Sequence, residues 1–147
     1  MCGVAGAFGE QAARLEPVIR EINRRQLHRG PDDSSVTSPA DLFVLSNTRL
    51  AIQDPSPAGN QPFADPSGRY HLVLNGEIYN FKELARQHRL ALRSGTDTEV
   101  LVQLWARFGP DALTRLRGMF AVAVADTATG ELFLARDPFG IKPLHWR

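Results

Sequence analysis

The side chain best suited to chemistry is Cys2, the only cysteine in the sequence, which directly follows Met1. Cysteine is small enough for methionine aminopeptidase to remove the residue before it, so we expect Cys2 to become the N-terminus. A cysteine thiol and a free α-amino group both exchange protons close to neutral pH, so an amine in this position can accept the proton of the thiol. This pairing predicts a nucleophile whose base is its own N-terminal amine. The alternative is that a cysteine at position 2 is an accident of the start of the chain.

The composition argues against several other kinds of protein. The chain has 147 residues, of which 43% are hydrophobic and 22% charged, as in one globular domain with a hydrophobic core. The net charge is +1 and no basic run is interleaved with aromatic residues, so no nucleic-acid partner is expected. No apolar run approaches the ~20 residues of a membrane span and no signal peptide is visible, which predicts a cytoplasmic protein without a membrane partner. One cysteine allows neither an intrachain disulfide nor a cysteine-rich zinc site, so no metal is expected.

Secondary structure is predicted from hydrophobic spacing and from turn residues. The predicted strands cover residues 4–9, 43–45, 49–52 (continuing the strand before it or opening the next), 71–77, 119–125, 131–135 and 141–146. The predicted helices are one with Pro17 in its first turn, followed by 81–88, 98–108 and 111–116. Loops are expected at 28–33 and 54–63. This mixture predicts an α+β fold whose sheets are buried against helices in layers, without specifying the strand order.

Eight short motifs occur in one order along the chain. They are MCGVAG (1–6), HRGPDD (28–33), TRLAI (48–52), AGNQPF (58–63), LNGEIYN (74–80), SGTDTE (94–99), RGMFA (117–121) and ARDPFGIKPL (135–144). Together they closely resemble the N-terminal glutaminase domain of glutamine-hydrolysing asparagine synthetases, which are class II glutamine amidotransferases. The resemblance covers essentially the whole chain. It implies the N-terminal-nucleophile hydrolase fold, a four-layer α/β/β/α sandwich in which two mostly antiparallel sheets face each other.

The resemblance implies a catalytic role for three residues. Cys2 is expected to attack the side-chain amide of glutamine. The tetrahedral oxyanion that follows needs preorganised donors, which Asn75 can supply from its side-chain amide and Gly76 from its backbone N–H. The alternative for Asn75 and Gly76 is a β-hairpin turn, the commonest use of the Asn-Gly pair.

Further residues match the positions where this family holds glutamine. Arg49 is expected to bind the α-carboxylate through its bidentate fork, and Asp97 to bind the α-ammonium group. Glu77 matches a further substrate contact, and Ile52 and Gln53 match positions whose backbone helps to hold the substrate. The alternatives are that Arg49 and Asp97 are solvated surface charges and that Asp97 caps the following helix. The HRGP loop carries no assigned step and is expected to pack near Cys2.

The sequence departs from the family pattern in two places. Asn47 stands where the asparagine synthetases usually have histidine, and we expect a tuned rather than an empty site. The sequence given ends at Arg147, where the family continues into further strands. Residues 1–147 are therefore predicted to be a truncated glutaminase domain, C-terminally incomplete, and marginal, oligomeric or weakly active without a partner chain. The synthetase domain, which would use ATP and Mg, is absent from the sequence given.

Three functional hypotheses follow. The first is hydrolysis of L-glutamine to glutamate and ammonia for a synthetase domain or subunit, in asparagine synthesis from aspartate. The second keeps the glutaminase but changes the ammonia acceptor, as in lactam-forming, macrocycle-forming or sugar-phosphate amidotransferases. HRGPDD and AGNQPF favour the asparagine-synthetase branch. The third is a catalytically silent interaction module.

Overall fold

The computed structural model describes residues 2–147, which form two antiparallel sheets and three α-helices. The strands are β1 (Gly3–Phe8), β2 (Asp33–Thr37), β3 (Phe43–Arg49), β4 (Phe63–Ala64), β5 (Tyr70–Ile78), β6 (Gly118–Asp126) and β7 (Glu131–Arg136). The α-helices are α1 (Ala12–Arg25), α2 (Phe81–Gln87) and α3 (Asp97–Phe108), and 3-10 turns cover Leu27–Arg29, Pro57–Gly59 and Gly109–Arg115. The predicted mixture of helices and sheets is confirmed.

The first sheet has the strand order β1-β3-β2, and every residue of its central strand β3 is buried. Successive side chains of a strand point to opposite faces of the sheet. Val44 packs with Ala12 and Ile19 of α1, whereas Phe43 and Leu45 belong to a separate cluster on the other face. Helix α1 therefore covers one face of this sheet and leaves the other for different contacts.

The second sheet has the order β4-β5-β6-β7, and its two faces pack differently. Leu72 of β5 joins a cluster with Leu84 of α2 and Leu104 of α3. Val73, the next residue, points the other way and packs with the cluster of Leu45 from the first sheet. The two sheets thus meet through their inner faces, while α2 and α3 cover the outer face of the second sheet.

The predicted strand at 141–146 is wrong, since no strand follows β7 in the described chain. The carboxylate of Asp137, which is 1% exposed, instead accepts the N–H of Phe120 and three backbone N–H groups from the segment that follows it. They belong to Phe139, Ile141 and Lys142, at 3.1, 2.9 and 3.0 Å. Because this turn uses the backbone donors that a strand would need, the segment does not extend the sheet.

One other prediction about local structure needs correction, and one strand was not predicted. Helix α1 begins at Ala12, so Pro17 lies inside the helix and not in its first turn. The missing N–H of proline removes one helical hydrogen bond, which the packing of α1 on the first sheet offsets. Strand β2 is not predicted by the sequence, because Asp33–Thr37 is mostly polar and lacks an alternating hydrophobic pattern. It forms by pairing with β3.

The segments that follow β3 also differ from the prediction. Strand β3 continues through Arg49, and residues 50–52 leave the sheet. The loop predicted at 54–63 is only partly on the surface, because Gln61 and Phe63 are buried. None of the helices in the described part of the chain has both the length and the apolar character needed to cross a membrane.

Candidate active site

A cleft of about 110 Å³ lies beside Cys2, where the end of β3, the edge of β5 and the start of α3 meet. All the residues predicted to act on or bind glutamine line it except Asn75. The predicted residues that line the cleft are Cys2, Arg49, Ile52, Gln53, Gly76, Glu77 and Asp97. The tertiary structure therefore brings residues from both sheets and from a helix N-terminus to one opening.

Cys2 is held at the mouth of this cleft by contacts on either side of it. The N–H of Gly3 donates to Oγ1 of Thr48 at 3.0 Å, which fixes the start of β1 against β3. Arg29 Nε donates to the carbonyl oxygen of Cys2 at 3.3 Å. The Cys2 side chain is partly exposed, so a substrate can reach it. The predicted packing of the HRGP loop near Cys2 is confirmed by the Arg29 contact.

The backbone of Gly76 points into the cleft and away from the neighbouring strand. Gly76 pairs with Phe120 of β6, and the N–H and C=O of Phe120 both bond to Asp137 on the far side of β6. The N–H and C=O of one residue in an antiparallel strand point to the same side. Gly76 and Phe120 are therefore a non-hydrogen-bonded pair, and the N–H of Gly76 points to the open edge of β5.

The residues two positions before and after Gly76 support this direction. The N–H of Leu74 donates to Oε1 of Gln61 at 2.7 Å, and the N–H of Ile78 donates to Oδ2 of Asp97 at 2.8 Å. Three N–H groups thus stand in a row along the edge of β5. Side chains occupy the outer two, and the middle one, from Gly76, faces the cleft and can serve as an oxyanion donor.

Asn75 and Gly76 lie inside β5, so the hairpin-turn alternative is wrong. Glycine is required because β6 approaches closely: a Cβ on Gly76 would overlap the carbonyl oxygen of Met119. The Asn75 side chain shares the inner face of β5 with Val73 and is 5% exposed. Its Oδ1 has no hydrogen-bond partner among the described residues. The Asn75 amide is therefore buried beside Gly76, and no other described group holds its oxygen.

Arg49 is the last residue of β3 and is 5% exposed, so the surface-charge alternative is wrong for it. Its Nη1 donates to the carbonyl of Ser56 at 2.8 Å and to Oδ1 of Asn60 at 2.7 Å, and its Nη2 donates to the carbonyl of Asp54. These contacts use three of the five guanidinium N–H groups. Arg49 thus anchors the loop over residues 54–60 and keeps donors for a ligand.

Asp54 ties this loop to the turn before α3. Its carboxylate accepts the N–H of Gly95 at 2.8 Å and the N–H of Ser56 at 2.9 Å. These hydrogen bonds, led by that from Gly95, lower the pKa of Asp54 to about 2. The carboxylate is therefore ionised at neutral pH, and the wall of the cleft between Arg49 and α3 is held by a charged hydrogen-bond acceptor.

Asp97 is the first residue of α3 and is 6% exposed, so the surface-charge alternative is wrong here too. The helix N-cap is Thr96, whose Oγ1 accepts the N–H of Glu99 at 3.3 Å, and Asp97 is not the cap. Burial raises the pKa of Asp97, and hydrogen bonds such as that from the N–H of Ile78 only partly oppose this. A buried carboxylate with a raised pKa favours a cationic partner, such as an ammonium group.

The remaining predicted residues form the rim of the cleft. Gln53 Nε2 donates to Oε1 of Glu77 at 2.8 Å, which joins the segment after β3 to β5 across the opening. Ile52 is 66% exposed and lines the outer part of the cleft. These positions fit the predicted peripheral contacts to a substrate.

Two cleft residues, Gln61 and Thr98, have no role in the sequence prediction. Both are buried, and Gln61 Nε2 donates to Oγ1 of Thr98 at 3.3 Å. The only sequence signal was their presence in the motifs AGNQPF and SGTDTE. Asn47, the departure from the family pattern, is buried behind Gln61 and donates to its Oε1 at 3.4 Å without lining the cleft.

Comparison with known proteins shows the family of this chain. Residues 1–147 match the glutamine amidotransferase domain family, and the chain belongs to that family. Similar proteins are named as asparagine synthetases [glutamine-hydrolyzing]. A putative one from Mycobacterium tuberculosis H37Rv is 40% identical over 98% of this chain and 25% of its own length. The asparagine synthetase of Asparagus officinalis is 40% identical over 99% of this chain and 25% of its own length. Asparagine synthetase B of Escherichia coli K12 is 36% identical over 99% of this chain and 26% of its own length. The chain spans about a quarter of the length of these relatives.

Proposed function

We propose that this chain hydrolyses the side-chain amide of L-glutamine and supplies the ammonia for an ATP-dependent amidation, the synthesis of asparagine from aspartate. The carrying observation is the cleft, where the Cys2 thiol lies with the inward-facing N–H of Gly76 and with two buried groups of opposite charge, Arg49 and Asp97. Free glutamine has an amide at one end and a carboxylate and an ammonium group at the other. Cys2 and Gly76 match the amide, Arg49 matches the carboxylate and Asp97 matches the ammonium group.

The reaction proceeds by nucleophilic catalysis. After removal of Met1, the α-amine of Cys2 accepts the thiol proton, and the sulfur attacks the amide carbon of glutamine. The oxyanion receives the N–H of Gly76 and the side-chain NH₂ of Asn75. The protonated amine then gives its proton to the departing nitrogen, which leaves as ammonia. Water hydrolyses the thioester and releases glutamate.

The fold proposed for this reaction is the four-layer α/β/β/α sandwich of the N-terminal-nucleophile hydrolases. The packing of α1 on one sheet, the contact between the two inner faces and the cover of α2 and α3 support it. Residues 1–147 would be the glutaminase unit, and ATP and Mg would bind a synthetase domain or subunit that receives the ammonia. The names and lengths of the relatives support that partner. The cytoplasm, which supplies glutamine and ATP, is the compartment we propose.

Alkylation by a glutamine-like electrophile tests this function. We expect such a reagent to modify one residue, Cys2, because the cleft presents this thiol to the group that replaces the amide. Excess glutamine should slow the modification, and peptide mass spectrometry should locate it. Labelling that glutamine does not slow would contradict a glutamine-binding cleft at Cys2.

Arg49→Lys tests carboxylate recognition. Lysine keeps the charge but loses the planar fork, so we expect the KM for glutamine to rise by about tenfold to a hundredfold. The loss of anchors for loop 54–60 should lower the melting temperature, but the main effect should be on the KM. Arg69→Lys is the matched control, since Arg69 makes a bidentate pair with Asp126 at 2.8 and 2.6 Å away from the cleft. A collapse of stability with a normal KM in the folded fraction would make Arg49 structural.

Asp97→Asn tests ammonium recognition and has a predictable effect on stability. We expect the KM for glutamine to rise about a hundredfold, because the buried pair between the Asp97 carboxylate and the ammonium group of glutamine is lost. Because folding raises the pKa of Asp97, its ionisation destabilises the fold as pH rises from about 3.8 through the raised pKa. The neutral variant should therefore be at least as stable as the native chain at pH 7.

Asp65→Asn provides the control with the opposite sign. Asp65 is 5% exposed, close to the exposure of Asp97. Burial tends to raise its pKa, but hydrogen bonds from Ser67 and Tyr70 outweigh burial and lower the pKa. Its anion therefore stabilises the fold above the unfolded pKa, and this stability is lost as pH falls through the lowered pKa. We expect Asp65→Asn to lower the melting temperature at pH 7 without changing the KM. Equal KM values for the two variants would contradict the assignment of Asp97.

A further inference from the structure

We propose that Gln61 is a positioning residue of the glutamine site, which joins the edge of β5 that carries the Gly76 N–H to the carboxylate of Asp97. The inference rests on the proposed glutaminase function and extends it to a residue that is not expected to touch the reacting atoms. Gln61 is 7% exposed, and its side chain has contacts in two sheets and at the N-terminus of α3.

The position of Gln61 is set from several directions. The hydroxyl of Ser35 on β2 donates to its backbone carbonyl. Its side-chain Oε1 accepts the N–H of Leu74 at 2.7 Å and the Nδ2 of Asn47 at 3.4 Å. One buried side chain thus contacts β3 of the first sheet and β5 of the second, just below the cleft that it helps to line.

The contacts also determine which way the amide points. A backbone N–H can only donate, so the atom of Gln61 that faces Leu74 must be the oxygen. The Nε2 then donates to Oγ1 of Thr98 at 3.3 Å. Because Thr98 Oγ1 accepts there, its own proton is directed elsewhere, and Oδ1 of Asp97 lies at 3.5 Å. The series Leu74–Gln61–Thr98–Asp97 therefore has one direction of donation at every link.

This series brackets the Gly76 N–H. Gln61 occupies the Leu74 N–H before it, and Asp97 occupies the Ile78 N–H after it, while Thr98 connects the two side chains. The edge of β5 and the start of α3 are thereby held at one separation. In the proposed function that separation is the one between the oxyanion donor and the anion that binds the substrate ammonium. A small change in it would affect both binding and rate, because catalytic groups act only when closely aligned.

Gln61→Met is the first test, with Gln103→Met as matched control. Methionine has a similar length but neither accepts from Leu74 nor donates to Thr98. We expect KM for glutamine to rise and kcat to fall, each by about tenfold, because without the hydrogen bonds of Gln61 the Gly76 N–H and the Asp97 carboxylate are no longer held in alignment. Gln103 is equally buried at 7% and bonds to the Ala91 carbonyl at 2.8 Å and to Glu99 at 3.2 Å. Its replacement should lower the melting temperature and leave both kinetic constants unchanged.

The Thr98→Val and Thr98→Ser pair is the second test, and it decides the matter if Gln61→Met does not fold. Valine has the shape of threonine without the hydroxyl, so we expect Thr98→Val to raise KM about tenfold. Serine keeps the hydroxyl, and KM should return to within about threefold of the native value. Equal KM values for the valine and serine variants would overturn the proposal, and so would native kinetics in folded Gln61→Met.

Binding measurements separate this inference from the proposed function. Glutamine is titrated by calorimetry into the full chain carrying Cys2→Ala, with and without Thr98→Val. We expect the second substitution to weaken binding about tenfold. If the native chain binds and hydrolyses glutamine but neither the Gln61 nor the Thr98 substitution has an effect, only the role of Gln61 is overturned. A native chain that neither binds nor hydrolyses glutamine would overturn the proposed function and, with it, this inference.

Discussion

Replacing Cys2 by alanine is expected to abolish glutamine hydrolysis, with kcat falling by at least about 10⁴-fold, as when a nucleophile is removed from a hydrolase that acts as a unit. The fold should persist, because Cys2 precedes β1 and is only partly buried, and alanine keeps the backbone contacts of its neighbour Gly3. Ammonia release measures the first outcome, and calorimetric binding of glutamine measures whether the cleft is intact. Hydrolysis that survives in the alanine variant would contradict the role of Cys2 as nucleophile.

The proposed role of the N-terminal amine requires that Met1 is removed, and mass spectrometry of the native protein tests this. The intact mass of the active protein should be lower than that of the full sequence by one methionine residue. With Met1 retained, the nitrogen of Cys2 is an amide and cannot accept the thiol proton. Full activity in a preparation that retains Met1 would show that another group is the base. Cys2→Ser should bind glutamine as the alanine variant does but hydrolyse it very slowly, because a hydroxyl is far less acidic than a thiol.

Replacing Asn75 by alanine is expected to lower kcat by about 10²- to 10³-fold with little change in KM. The amide of Asn75 is needed only when negative charge develops on the substrate oxygen, so its loss acts on the transition state. The backbone N–H of Gly76 remains, which leaves one of the two proposed donors. Steady-state ammonia release over a range of glutamine concentrations separates the two constants.

Asn23→Ala is the matched control for this substitution. Asn23 in α1 is also 5% exposed, and its Oδ1, like that of Asn75, lacks a hydrogen-bond partner among the described residues. Its Nδ2 donates to Oγ of Ser34 at 2.7 Å, away from the cleft. We expect this variant to lose stability and keep kcat. A similar kcat in the two alanine variants would show that Asn75 has only a structural role.

Several elements of the fold could be predicted from the sequence because their signals are local. The apolar residues of α3 recur at helical spacing, and the turn at 126–130 separates two apolar runs that pair as β6 and β7. The candidate site residues followed from motifs, and all but Asn75 line one cleft. The strand β2 lacked any such signal, because its polar residues are ordered by contacts with distant segments, chiefly by pairing with β3.

Other features were decided by contacts between distant segments. The Asn-Gly pair favours a hairpin turn as a dipeptide, but β6 lies against it and extends β5 through Ile78. The segment after β7 has strand-like residues, but the Asp137 carboxylate takes its N–H groups into a turn. From the sequence, Arg49 and Asp97 are compatible with surface charges. In the structure, the loop over 54–60 encloses Arg49, and Asp97 is buried against the edge of β5.

The sequence by itself therefore determined the candidate nucleophile, the candidate groups for glutamine binding and the helices and strands with a strong hydrophobic pattern. Only the tertiary structure decided that the Gly76 N–H points into the cleft, that Asp97 is buried and that Gln61 connects the two. The physical reason is that spacing along a chain reports local conformation, whereas the direction of a backbone N–H depends on which strand pairs with it. For Gly76 that partner is Phe120, and its register is set by packing across the whole sheet.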